Sequence, residues 1–183
     1  MDCLLLVAET KADLDMIFPA ELEQFLKWLE TTPIAETIRE NEILFPWIEA
    51  VHVLAIVLVV GTISIIDLRL LGVASLDRAA TRLMRDVLPW TWGAFVIAAI
   101  TGSLLFSSNA PKYANNFFFQ AKMVFLVAAG LNMAIFHVFG LRSVARWDTA
   151  PRPPPAARTA GAASLILWVA VVAFGRWIGF TLH

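Results

Sequence analysis

The chain is short of the residues that soluble enzymes use most. Cys3 is its only cysteine in 183 residues, so no internal disulfide and no cysteine-built zinc site can form. Charged residues make up 16% of the chain, against about 25% in an ordinary soluble protein. No His-x-x-x-His pair, Gly-rich phosphate loop or Gly-x-Ser-x-Gly elbow occurs, which leaves hydrolytic and nucleotide chemistry without support. No basic block is dense enough for nucleic acid, so that partner is excluded.

Long uncharged runs stand in place of the missing charge: Ala50–Ile66, Val87–Pro111, Met123–Leu141 and Thr159–Gly175. A helix needs about 20 mainly apolar residues to cross a bilayer, and each run reaches that with its flanks. Backbone groups in lipid must pair within the segment, so each run is expected to be helical. The predicted fold is all-α: a four-helix transmembrane bundle preceded by an amphipathic interfacial helix pair on the outer face. The spans are expected at about 45–71, 87–110, 119–142 and 159–181 within a unit of 45–183, with the helix pair at 19–44 and a disordered or non-essential tail at 1–18. Met16 is an alternative start to Met1.

A net charge of −1 hides an asymmetry: residues 1–49 hold 11 of the 15 acids and only Lys11, Lys27 and Arg39 as bases. Arg69, Arg78, Arg82 and Arg85 follow span one, and Arg142, Arg146, Arg152 and Arg158 follow span three. The positive-inside rule makes those two loops cytoplasmic. The expected location is the bacterial inner membrane, multi-pass, with both termini periplasmic.

Before span one, Leu22, Phe25, Leu26 and Leu29 share one helical face, with Pro19, Glu21 and Glu23 at its start. Thr32-Pro33 breaks this helix and a second short one follows to Arg39. The pair is expected flat on the outer surface, either as a lid over the bundle or as a partner-docking surface. Ala94, Ala98 and Gly102 on span two form a small-residue stripe, as do Gly175 and Gly179 on span four. Such stripes let helices approach closely, within the monomer or, through Gly175 and Gly179, in a homo-oligomer. Trp47, Trp90, Trp92, Trp147 and Trp177 form the interfacial belt expected next to lipid.

Ionisable groups inside spans carry the functional reading, since they normally face the bundle interior. Counting about 1.5 Å per residue from the span centres puts His52 and Arg176 each about 9 Å outside the midplane, with Glu49 and Lys122 about 14 Å outside. Glu49, His52, Ile56, Ile63 and Asp67 form one stripe on span one. The reading is an outer-leaflet cluster of Glu49, His52, Lys122 and Arg176, in which Arg176 meets Glu49 beside His52. Thr101 and Ser103 lie at similar depth. An inner-side polar cluster holds Asp67, Arg69, Asn132 and His137. The outer cluster has a bland alternative: an ion pair that only locks two helices.

Two membrane histidines invite a b-type haem, but His52 and His137 are expected about 18 Å apart along the membrane normal. They cannot flank one iron. A haem on His52 would take His183 or a non-histidine second ligand such as Met123, or be held by a single histidine. Copper at His52 and Met123 is a weaker option.

"ETIRENEILFPWIEAVHVLAI", "DLRLLG", "LPWTW", "KYANNFFFQAKM" and "GRWI" together resemble a family of uncharacterised bacterial four-helix integral membrane proteins, from about Phe25 to Phe180. More distantly the chain is similar to the copper-resistance D membrane domain, through His52, Gly102, and Phe119 with Lys122. The first resemblance implies a four-helix membrane protein. The second implies copper handling or a link to respiratory b-type membrane proteins. The expected function is therefore a non-enzymatic accessory or subunit whose outer-leaflet polar site binds a small ligand, metal or partner. A haem b electron-transfer subunit with a periplasmic or membrane redox partner is the alternative. Copper or small-solute transport ranks last, because Val53–Gly61 is wholly apolar.

Overall fold

A helix that is apolar on every side has no face to hide from lipid, and its exposed side chains show where lipid lies. Leu54, Val124 and Ile166 are 69%, 66% and 70% exposed on three of the long helices. The computed structural model describes residues 20–140, 144, 147–150 and 152–181. The predicted tail at 1–18 lies outside these residues, as do Pro19, Arg142, Arg146 and His183. Among the described residues all regular structure is helical. The order is α1 Ala20–Glu30, α2 Pro33–Glu40, α3 Leu44–Leu71, α4 Ala80–Ser108, α5 Ala110–Ala114, α6 Phe117–Ile135 with a π-helical turn at Phe136–Gly140, and α7 Pro155–Thr181. Four helices are long and apolar enough to cross a membrane: α3, α4, α6 with its added turn, and α7.

The ends are set locally. Gly72 closes α3 in the left-handed region at φ 76°, where a residue without Cβ is least strained. Asn116 caps α6 by accepting from the amides of Phe118 and Phe119 at 2.9 and 3.1 Å. Its amide nitrogen also donates to Thr181 Oγ1 at 2.8 Å, tying the start of α6 to the end of α7. α4 begins seven residues before its apolar run. Arg82, Arg85 and Asp86 extend it by about two turns, and Asp148 from a distant loop receives its first amides.

The bundle is an open arc. α4 packs on α3, α3 on α7, and α7 on α6, while α4 and α6 barely touch. α1 and α2 sit over the α4–α5 end. Leu26, Ala35 and Ile38 are buried there at 6%, 0% and 3% exposure. Arg39 Nη1 reaches Ser108 O at 3.4 Å and Glu30 Oε1 at 3.3 Å. The pair packs over this end of the bundle, termed the lid end, with Phe25, Trp28 and Ile34 still exposed on it.

Candidate functional site

The two ends of the bundle hold different polar groups. At the lid end, Thr101 and Gly102 on α4 face His52 on α3. Thr101 Oγ1 donates to the Ile97 carbonyl at 2.7 Å. Its hydroxyl proton is therefore committed, and His52 Nδ1–H donates to it at 3.0 Å. The ring also reaches the Ala98 carbonyl, and Nε2 is then the lone-pair-bearing nitrogen, with no hydrogen bond among the described residues. Gly102 makes room for the ring: a Cβ there would lie 2.8 Å from His52 Cε1. The small-residue stripe Ala94–Ala98–Gly102 thus serves close packing inside the monomer.

Lys122 on α6 is the second member. Its charge acts on His52, and its stem lies along Gly175 of α7, where a Cβ would stand 3.5 Å from its Cδ and Cε. Among the described residues Lys122 has no hydrogen bond or ion pair. One turn before it, Phe119 stacks on Phe106 with centroids 5.3 Å apart and touches Tyr113 at 5.9 Å. These rings cover the site on the lid side.

The predicted Glu49–Arg176 pair does not form. Both residues are exposed, and Arg176 lies over the Phe180 ring at 5.1 Å. The physical reason is azimuth. Neighbouring positions on a helix point about 100° apart, and it is Gly175 that faces Lys122, so Arg176 is turned away. Glu49 instead lies near Tyr113 on α5. Burial raises the Tyr113 phenol above its ordinary value, and the Glu49 charge adds to that. Ser103, matched to the cluster by depth, is exposed and bonds only within its helix, to the Ala99 carbonyl. Met123 is 41% exposed and, like Glu49 and Arg176, takes no part in the His52 site.

At the other end the predicted inner group splits. Asp67, Asn132 and His137 line one cavity of about 160 Å³ between the four long helices. Arg69 does not join them. Two residues along a helix is about 200° of rotation, which sends its guanidinium into the loops. There Nε donates to Arg78 O at 3.0 Å, and Nη2 to Asp148 O at 3.0 Å and Ala150 O at 3.3 Å. Asp148 in turn accepts from Thr81 N at 2.8 Å and Thr81 Oγ1 at 2.7 Å. Burial pushes the Asp148 carboxyl up, but the Thr81 bonds and the Arg69 charge outweigh it and hold the carboxyl below its ordinary value. Arg69 is thus the pin of a clip joining two loops, over a core that includes Leu70, Met84 and Trp147.

Asp67 and His52 are fifteen residues apart on α3, about 22 Å along the axis. His137 shares the Asp67 cavity, so the two histidines serve different sites. No three His, Cys, Asp or Glu side chains converge as a metal site among the described residues.

A family model for a family of unknown function, DUF6644, matches residues 25–181. The chain belongs to that family. No curated protein and no solved structure matches it.

Proposed function

We propose that this member of DUF6644, a multi-pass membrane protein, is a non-enzymatic accessory protein whose His52–Lys122 site holds a small acidic ligand or an acidic group of a partner. The single observation that carries this reading is the Lys122 ammonium, whose charge acts on His52 from another helix and which has no counter-charge among the described residues. A buried cation is costly unless it is paired, and both the ammonium and an imidazolium favour an anion. His52 Nε2 is the second open group. Nothing in the cluster resembles a nucleophile held by a base and an orienting group, which favours binding over catalysis.

The arginines support an outer-leaflet position for the site. Arg78, Arg82, Arg85, Arg152 and Arg158 lie at the far end of the bundle, so the rule of positive cytoplasmic loops puts His52 in the outer half of a bacterial inner membrane. A ligand would approach beneath the α1–α2 lid.

The test is thermal unfolding of the purified protein in mild detergent with formate, acetate and chloride at equal ionic strength. The carboxylates should raise the midpoint above that in chloride by a few degrees, as ligand linkage requires, and Lys122→Met should remove the difference. Equal midpoints in all three salts would overturn the reading. A second reading, haem b on His52, rests on its free Nε2. The absorption spectrum of the same sample separates the two: a Soret band with reduced α and β bands would replace the first reading by the second.

A further inference from the structure

The cavity at the Arg69 end holds a polar arrangement that the His52 site does not explain. Asp67 is 4% exposed, and its Oδ2 has no hydrogen-bond partner. Three neighbouring polar side chains already spend their donors elsewhere or on Asp67 itself. Ser164 hydrogen-bonds to the Asp67 carboxyl. Thr91 Oγ1 donates to Thr62 Oγ1 at 2.8 Å, and Asn132 Nδ2 donates to the Ala160 carbonyl at 3.0 Å. What stays open is acceptor capacity at Asp67 Oδ2. A buried acceptor without a donor costs free energy, so a fitting ligand must bring the donor.

Shape narrows the ligand further. The volume is about 160 Å³, close to the roughly 150 Å³ that accommodates one benzene ring in an apolar cavity. Trp92, Phe95, Phe136 and Trp168 supply aromatic wall, suited to edge-on and offset ring contacts. The route is lateral, because α4 and α6 barely touch. Trp92 on α4 is 51% exposed and His137 on α6 is exposed, and both line the cavity. A chain attached to the ring would leave between these helices into the bilayer.

We propose that this cavity binds an amphiphile whose head is a single ring bearing a hydroxyl donor, of the alkylphenol class, entering from the membrane between α4 and α6 and donating to Asp67. The proposal is independent of the His52 site. It explains why a buried carboxyl lines an apolar cavity with no ion pair among the described residues.

The test uses the intact protein in lipid nanodiscs and dicyclohexylcarbodiimide, a hydrophobic reagent. A carbodiimide nitrogen takes up a proton from the medium and the carboxylate oxygen adds to the central carbon. Rearrangement then leaves a stable N-acylurea, located by peptide mass spectrometry. Asp67 should be modified faster by this reagent than by a water-soluble carbodiimide. 4-Nonylphenol should slow that modification about tenfold more than nonylbenzene does, the ratio one satisfied hydrogen bond gives. Preferential modification with phenol-selective protection supports the proposal. It is overturned if Asp67 reacts no faster with the hydrophobic reagent, or if nonylbenzene protects as well as nonylphenol.

Discussion

The Arg69 clip and the His52 site put charge to opposite uses. Arg69 is 1% exposed and spends its donors on three backbone carbonyls of two loops, and Asp148 beside it caps α4. Lys122 at the other end spends its donors on nothing described. Arg69 Nη1 is left without a partner, but removing a charge that holds three carbonyls strands those partners, whereas removing one with no partner among the described residues strands none. The clip should therefore carry stability, and the His52 site should carry function at some expense of stability.

The largest effect should come from Arg69→Met. It removes the Arg69 bonds to the Arg78, Asp148 and Ala150 carbonyls, of which that of Asp148 keeps the Ala80 amide, at about 1.5–3 kcal/mol for each hydrogen bond to a charged group. Denaturation in detergent should show a loss of about 3 kcal/mol or more. Gly102→Ala comes next, because the new Cβ meets His52 Cε1 at 2.8 Å. Overpacking of this kind costs about 1–3 kcal/mol. Gly93→Ala, with nothing within 4 Å of its Cβ, is the matched control and should be near neutral.

Asp148→Asn should be milder, about 1 kcal/mol as for other lost caps. It also carries a pH signature. The folded Asp148 carboxyl lies below its ordinary value, so its contribution is complete above about pH 4 and is lost as pH falls through the folded value. The wild-type protein should lose stability on acidification below about pH 4, and the variant should lose less over that window. Arg176→Leu should be the smallest, about 0.5–1 kcal/mol for an exposed cation–π contact. Neutralising Glu49 should not rescue it, since the two are not paired.

Four helices were legible in the sequence because hydrocarbon thickness imposes a length that each apolar run meets. Depth was legible too: a fixed rise per residue placed His52 and His137 in different halves, and they do line different sites. Azimuth was not. Glu49 sits one turn before His52, yet it points out beside Tyr113. Arg176 and Gly175 share a depth, and only the glycine faces Lys122. Asp67 and Arg69 were grouped by depth although they lie on opposite sides of α3. In a soluble helix the polar face reveals rotation, but α3 is apolar nearly all round and offers no such mark. The Arg69–Asp148–Thr81 clip was out of reach for another reason. It joins residues 67 or more positions apart, and no local pattern encodes that meeting.

The central claim is that Lys122 serves a ligand and not the fold. The most direct test is the thermal unfolding midpoint of Lys122→Met in detergent without added carboxylate, beside the wild-type protein. The account expects a midpoint equal to or above that of the wild type, because a charge with no partner among the described residues has been removed from an apolar site. A midpoint lower by several degrees would contradict it and make Lys122 a structural residue.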